Sequence, residues 1–273
     1  MDYFKFEIAV NTTLNEILIA LLSDLPFDTF EETETGFNAY MPASENVAKV
    51  EDHLELMTHQ FSFSFQKEFI PGQNWNELWE SNFHPVIVGK FCGIRASFHA
   101  PLQEVEFELV INPKMAFGTG HHETTWMVIS MMQDLDLQGK KVLDYGCGTG
   151  VLGILASKLG AAYVDAVDIE EESVLNTKEN CQVNEVVNLE AFHGTLEAAP
   201  AGPYDVILAN INRNVILDSL PSLKQKMKPG GVLIVSGFVK DDETILQGAL
   251  AANGFTHVKT NRKNNWLAMQ AHI

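Results

Sequence analysis

The chain has 273 residues, 46% of them apolar, and is long enough to bury a full core as one large domain or two unequal ones. Asp and Glu total 36 against 18 Lys and Arg, which gives a formal net charge of -18. Such a charge disfavours direct nucleic-acid binding and favours a basic partner. The excess of acidic residues is explained equally well if it only keeps the protein soluble, so net charge alone does not indicate the function.

The cysteine and hydropathy patterns exclude further classes. Three cysteines at unpaired spacing, Cys92, Cys147 and Cys181, predict neither a disulfide framework nor a zinc site. No apolar run approaches the roughly 18 to 20 residues that cross a bilayer, and the first residues lack a signal-peptide pattern. We therefore expect a cytoplasmic monomer that makes no membrane contact.

Residues 1–70 show strand and helix patterns in the order strand, helix, strand, strand, helix, strand. Strands are predicted over 3–10, 27–34, 37–41 and 61–69, and helices over 14–25 and 44–59. Ser44 is the predicted N-cap of the second helix. This order is that of a smaller, ferredoxin-like α+β domain. An RNA-recognition module shares the topology, but its basic residues and glycine-aromatic motif are missing.

Residues 71–100 are interpreted as a connector between two domains. Trp75 and Trp79 stand four residues apart, so on a helix they share one face. Packing between domains explains this pair more simply than a binding surface does. A strand-like segment over 86–97 ends the connector.

Residues 101–273 change to a repeated strand-helix pattern. Apolar strands are predicted over 141–145, 163–169, 189–193, 204–210 and 232–238, with a terminal hairpin over 257–273. This alternation predicts a Rossmann-like α/β domain in which helices cover both faces of a parallel sheet. Ligands of such domains bind beyond the carboxyl ends of the strands.

The first of these strands runs into a glycine-rich turn that opens a helix, 144–150. Gly146 and Gly148 allow a tight turn and a close backbone approach to a nucleoside. Val151 stands where the dinucleotide fingerprint needs its third glycine, which disfavours NAD and FAD. Asp144 suits a cationic cofactor and would repel a pyrophosphate. The pattern favours S-adenosylmethionine.

Two later strands end in polar residues. Asp168 stands where an acidic residue can accept both ribose hydroxyls of a nucleoside, and capping of the next helix is the alternative interpretation. Asn210 can orient an acceptor amine, although it is also compatible with a simple capped turn. Methyltransferases that act on planar nitrogens place Pro-Pro-aromatic after this position, whereas this chain has Ile-Asn-Arg over 211–213. The departure favours an aliphatic amine.

A loop rich in glycine and hydroxyl groups precedes the first helix of this domain. Its residues Phe117 and Gly118 are predicted to cover the cofactor, and Thr125 offers a hydroxyl or a backbone N–H at the start of the helix. Helix capping is the alternative role for Thr125. The adjacent His121 and His122 rarely face one ion together, so no metal is expected, and a part in proton removal stays open.

Together these motifs resemble the class I S-adenosylmethionine-dependent methyltransferases, and more specifically the ribosomal protein L11 methyltransferase family. The matching segments are 117–120 with 124–125, 146–150 and 209–211. The resemblance implies methylation of lysine side chains and the N-terminal amine of L11, a basic ribosomal protein. It implies cofactor contacts at Thr125, Gly146, Asp168 and Asn210, and substrate recognition by residues 1–70. A methyltransferase for another protein, RNA or a small molecule, and a non-catalytic cofactor-binding assembly factor, are the alternatives.

Overall fold

The structure is a computed structural model that describes residues 2–70, 84–112, 118 and 120–273. The chain divides into two compact units, Met1–Phe83 and His84–Ile273. Residues 84–100 of the predicted connector fall within the second unit, where they contain the strands Val86–Val88 and Cys92–Arg95. Trp75 and Trp79 lie outside the described residues.

The first unit is an antiparallel sheet with two helices. Its sheet order is β2-β3-β1-β4, and its β-α-β-β-α-β order is the one that the sequence predicts. The elements are β1 (Tyr3–Ala9), α1 (Asn15–Leu22), β2 (Thr29–Thr33), β3 (Gly36–Pro42), α2 (Val47–Thr58) and β4 (Ser64–Ile70).

Alternation of side chains along β1 creates the core of this unit. Phe6 and Ile8 are buried in the same apolar cluster as Leu18 of α1 and Leu54 of α2. Successive strand residues point to opposite faces of a sheet, so the polar residues between them stay outside the core.

The N-cap of α2 differs from the predicted one. Asn46 occupies the cap position, and its side-chain oxygen accepts a hydrogen bond from the backbone N–H of Lys49 at 3.2 Å. Ser44 lies two residues before that position, so the prediction of Ser44 as the cap is wrong. Asn and Ser have similar preferences for N-caps, and only the backbone geometry distinguishes the two candidates.

The second unit contains a seven-stranded and a three-stranded sheet. Strands β5 (Val86–Val88), β6 (Cys92–Arg95) and β7 (Phe107–Val110) form the smaller sheet. The larger sheet has the order β10-β9-β8-β11-β12-β14-β13. Its strands and the helices of this unit are α3 (Glu123–Met132), β8 (Lys141–Tyr145), α4 (Val151–Lys158), β9 (Tyr163–Asp168), α5 (Glu171–Val183), β10 (Leu189–His193), β11 (Tyr204–Asn210), α6 (Arg213–Gln225), β12 (Met227–Val239), α7 (Glu243–Ala252), β13 (Thr256–Lys263) and β14 (Trp266–His272).

The strand order of the larger sheet fixes where a ligand can bind. Strands β10 to β12 are parallel, and β14 runs antiparallel to β12 and β13. The chain moves outward from β8 through β9 to β10, then crosses back and continues from β11 to β12. The direction of winding therefore reverses between β8 and β11, and ligands of open α/β sheets bind at such a point. Within the described part of the chain, no helix has the length and hydropathy of a bilayer span.

Candidate functional site

A cleft of about 630 Å³ lies at the carboxyl edge of the large sheet. Asp168 from β9, Gly146 and Gly148 from the turn after β8, Asn210 from β11 and Trp266 from β14 all line it. The strand order places Asp168 towards one end of the cleft and Trp266 towards the other, with Asn210 between them. Four of the seven predicted site residues therefore line the cleft, namely Gly146, Gly148, Asp168 and Asn210.

The turn after β8 requires glycine. Gly146 has a φ of 76°, and a Cβ at that position would lie 2.0 Å from Cγ2 of Ile211. Gly148 has a φ of 55°, which is also in the left-handed region. A larger residue at Gly146 would have to displace Ile211, which itself lines the cleft. The glycines thus let two strand ends approach each other closely.

The carboxylate of Asp168 holds this turn in place. One of its oxygens accepts a hydrogen bond from the backbone N–H of Gly148 at 2.9 Å, and the other accepts one from Glu170 at 3.0 Å. Glu170, not Asp168, occupies the N-cap position of α5. A carboxylate has about four acceptor positions, so Asp168 can still accept two hydroxyl groups of a ligand in the cleft.

Asn210 and Thr125 form a buried pair at the middle of the cleft. The Asn210 amide donates a hydrogen bond from Nδ2 to Oγ1 of Thr125 at 3.1 Å. Thr125 is fully buried and does not line the cleft, whereas its neighbour Thr124 does. The Oδ1 atom of Asn210 is buried and has no hydrogen-bond partner among the described residues. Thr125 is therefore placed to orient the side chain of Asn210.

Part of the predicted loop lies near the turn. The carbonyl of Gly118 accepts a hydrogen bond from the Thr149 hydroxyl at 2.7 Å. Gly118 has a φ of 104°, so glycine is favoured there. Phe117 lies outside the described residues, and its predicted part in cofactor binding stays a prediction.

Asp144 does not occupy the position that the sequence suggested. It is 1% exposed, it does not line the cleft, and its Oδ2 atom accepts a hydrogen bond from the backbone N–H of Gly153 at 2.8 Å. Burial raises the pKa of its carboxyl group to about 7. Asp144, which the sequence indicated as suited to a cationic cofactor, therefore makes no direct contact with the cleft, whereas its neighbour Tyr145 lines it.

Comparison with known proteins assigns the family. A model of the ribosomal protein L11 methyltransferase family matches residues 13–273. The chain belongs to this family. The methyltransferase of Porphyromonas gingivalis is 40% identical over 265 residues, covering 94% of this chain and 90% of the relative. That of Bacteroides fragilis is 38% identical over 279 residues, covering 99% of each.

Solved structures agree with the fold of this methyltransferase. A ribosomal protein L11 methylase from Lactobacillus delbrueckii subsp. bulgaricus aligns with a TM-score of 0.64 at 28% identity, covering 69% of this chain and 98% of the other. A methyltransferase from Pyrococcus furiosus has a TM-score of 0.52 at 16% identity, covering 60% of this chain and 88% of the other. The cofactor of the methyltransferase is S-adenosylmethionine.

Charge in the cleft of the methyltransferase suits this cofactor. Glu170 and Glu172 line it together with Asp168, and no Lys or Arg occurs among the described residues of its lining. A cleft lined by one sign of charge attracts ligands of the opposite sign. The sulfonium group of S-adenosylmethionine is cationic, whereas a pyrophosphate would lack any cationic side chain to neutralise it.

Gly237 and Trp266 line the cleft although the sequence did not predict them as site residues. Gly237 lies at a register shift in β12, and a Cβ there would lie 2.1 Å from the carbonyl oxygen of Ile211. Trp266 packs edge-to-face against His122 with ring centroids 4.5 Å apart. Only Gly237 carried a sequence signal, as a glycine near the end of an apolar strand. The pairing of β14 with β12 brings Trp266 to the cleft, and no local motif indicates that pairing.

The raised pKa of Asp144 predicts a specific pH dependence of stability. The folded state keeps this carboxyl group protonated up to about pH 7, while the unfolded chain loses the proton near the ordinary value of 3.8. The contribution of Asp144 to stability therefore falls as the pH rises between these values. Asp144→Asn should raise the free energy of unfolding at pH 8 by up to roughly 4 kcal/mol and change it little at pH 4. Urea unfolding at both pH values measures the difference.

Asp205→Asn is the matched control. Partial burial raises the pKa of Asp205, but hydrogen bonds from the side chain of Lys228 and the backbone of Lys141 lower it more, so the net shift is downward. Its stabilising contribution is present at neutral pH and is lost as the pH falls. Asp205→Asn should thus lower stability at pH 8. An Asp144→Asn variant that is also less stable than the wild type at pH 8 would contradict the assignment.

Proposed function

We propose that this protein transfers methyl groups from S-adenosylmethionine to amines of ribosomal protein L11, namely lysine side chains and the N-terminal amine. The observation that carries the proposal is the buried, unpartnered Oδ1 atom of Asn210 beside a cleft of negative charge. The relatives that bear the name of this activity are similar over nearly the full chain. The proposal commits to an aliphatic amine as acceptor.

The donor end of the cleft is formed by β8 and β9. Asp168 would accept the ribose hydroxyls there, while Gly146 and Gly148 allow the nucleoside to approach the backbone. Gly118 and Phe117 are the proposed contacts from the preceding loop. When bound, S-adenosylmethionine supplies an electrophilic methyl group on a sulfonium centre. Thr125 is now proposed to act through Asn210, since it does not line the cleft.

The acceptor end of the cleft is formed by β11, β12 and β14. Asn210 accepts a hydrogen bond from the incoming amine through Oδ1 and thereby directs the nitrogen lone pair. The backbone carbonyl group of Ile211, the next residue in the chain, is the proposed acceptor of a second N–H. Alignment of two reacting atoms at near-contact distance is the main contribution that a protein makes to such a transfer.

The amine must be neutral when it reacts. A lysine amine has an ordinary pKa near 10.4, so its neutral form at pH 7 costs roughly 4 to 5 kcal/mol. Loss of solvent in the cleft, next to a cationic sulfonium, favours the neutral form. Nδ1 of His122 is engaged by the hydroxyl of Thr124 at 2.7 Å and by its backbone N–H. We propose that loss of solvent beside the sulfonium is sufficient, so that the transfer requires no dedicated general base.

The remaining features concern the partner. A net charge of -18 favours encounter with a basic protein and disfavours direct binding of nucleic acid. Residues 1–70 form the substrate-recognition domain of the proposal, and residues 101–273 form the methyltransferase domain with the preceding strands of the second unit. The protein acts as a cytoplasmic monomer.

The proposal is tested by mass spectrometry of unmethylated ribosomal protein L11 after incubation with the enzyme and S-adenosylmethionine. Intact protein should gain mass in steps of one methylene, and peptides should place them on amine-bearing residues. Asp168→Ala is the control, because it removes the acceptor for the ribose and frees the turn at Gly148. If the wild type binds the donor but adds no mass to L11, the substrate assignment is wrong, and total cell protein and RNA become the acceptors to screen.

Replacement of Asn210 should separate donor binding from transfer. Asn210→Ala should lower the rate at saturating donor by about 100-fold, because the amine loses its orienting acceptor, while donor affinity changes less than about threefold. Thr125→Val should cause an intermediate loss, since it removes only the hydroxyl that holds the Asn210 amide. Single-turnover rates and donor titrations measure the two effects.

Thr125→Ser is the control for the Thr125→Val variant, because it retains the hydroxyl group. Its rate should stay close to that of the wild type. An Asn210→Ala variant that loses donor binding but reacts at the normal single-turnover rate once saturated would show that Asn210 does not orient the amine.

A further inference from the structure

Helix α5 buries a polar face against the rest of the second unit. Asn176, Thr177 and Asn180 lie on the helix, Asn184 follows it directly, and all four are nearly or completely buried. Residues four positions apart share one face of a helix, so the three asparagines form a ladder. Buried amides must find hydrogen-bond partners, and the identity of those partners shows what the ladder holds.

The two asparagines at the end of the ladder have different partners. Asn184 binds Val110 at the end of β7, accepting from its N–H at 2.9 Å and donating to its carbonyl at 2.6 Å. Asn180 accepts from the N–H of Asn112 at 3.0 Å and donates to the carbonyl of Thr149 at 2.9 Å. Asn184 thus holds the end of β7 and also donates to the backbone carbonyl of Asn180 at 2.8 Å, while the Asn180 side chain joins the chain just beyond β7 to the glycine turn.

Thr149 continues this connection to the other side of the loop. Its hydroxyl donates to the carbonyl of Gly118, as described above. Residues 112 and 118 lie on either side of Phe117 in the sequence. Residue 112 is bonded to Asn180, and residue 118 is bonded to Thr149, which Asn180 holds. The Asn180 side chain bonds the N–H of Asn112 and the carbonyl of Thr149, and the Thr149 hydroxyl bonds Gly118. Residues 112 and 118 are therefore both connected to the turn.

The turn is held from two sides. Asp168 binds the N–H of Gly148 from β9, and the Thr177 hydroxyl donates to the carbonyl of Gly148 at 2.9 Å from α5. Asn180 supplies the next bond, at Thr149. Removal of Asn180 would leave the Thr149 carbonyl buried without a donor, and a buried unpaired carbonyl is costly. The turn would relax to reach another donor, and its left-handed glycines would move with it.

We propose that Asn180 is a positioning residue for donor binding, which holds the glycine turn in place relative to residues 112 and 118. It contacts neither the cleft nor any reacting atom, and it acts through Thr149. The inference rests on the proposed binding of S-adenosylmethionine in this cleft, but it does not depend on the identity of the methyl acceptor.

The test compares Asn180→Ala with Asn184→Ala. Both variants remove a buried amide from the same ladder, and both should lower the free energy of unfolding in urea. Only Asn180→Ala should weaken the binding of S-adenosylhomocysteine in calorimetry, by about tenfold, which is the loss expected for one buried hydrogen bond. Asn184→Ala should bind within about twofold of the wild type, since neither of its partners, Val110 and the backbone carbonyl of Asn180, lies in the glycine turn.

Steady-state kinetics distinguish positioning of the donor site from a loss of stability alone, because a loss of stability alone would not change the KM for the donor. Asn180→Ala should raise the KM for S-adenosylmethionine about tenfold and change kcat at saturating donor by less than about threefold, because the acceptor end is untouched. Equal donor affinities for the two variants would overturn the proposal. A loss of kcat without a change in the KM for donor would overturn it as well.

A second variant covers the case in which Asn180→Ala does not fold. Thr149→Val conserves the shape of the side chain and removes only its hydrogen bond to Gly118, so it should fold and still weaken S-adenosylhomocysteine binding. Unchanged binding in Thr149→Val would contradict the linkage. If the wild type binds the donor but transfers nothing to L11, the proposed substrate fails while the positioning role of Asn180 stands.

Discussion

The hydrogen bond between the Asp168 carboxylate and the Gly148 N–H is the contact on which the site depends. It joins the carboxyl ends of β9 and β8 directly beside the point where the winding of the sheet reverses. That bond holds the turn open in a conformation that glycine alone adopts readily. It also leaves acceptor positions of the same carboxylate for a ligand, so one side chain both builds the donor end of the cleft and faces it.

At the acceptor end, the neutral amide of Asn210 is held by one hydrogen bond and leaves its other atom available to a ligand, as the Asp168 carboxylate does at the donor end. Thr125 fixes the amide of Asn210, and the opposite oxygen of that amide remains without a partner among the described residues. The surrounding acidic lining suits a cationic donor and a basic protein substrate alike. The two ends lie on neighbouring strands, so the sheet itself sets the distance between the donor and the acceptor.

Sequence reasoning predicted best where one local pattern determines the structure. The apolar runs of β8, β10 and β11 gave their bounds, and the glycine turn indicated the donor end because glycine spacing and strand context lie within nine residues. It failed where long-range packing decides. The sequence does not show that Asp144 points away from the cleft, that Thr125 lies beneath Asn210, or that β14 brings Trp266 to the far end. The Asn180 ladder joins segments about 70 residues apart, so no spacing rule reveals it.

A crystal structure of the protein with S-adenosylhomocysteine tests the assignment of the donor and acceptor ends most directly. Both ribose hydroxyls should lie within hydrogen-bond distance of the Asp168 carboxylate, with the sulfur atom on the side of Asn210. A ligand that binds with its ribose away from Asp168, or outside the cleft between β9 and β14, would contradict the assignment of the donor and acceptor ends.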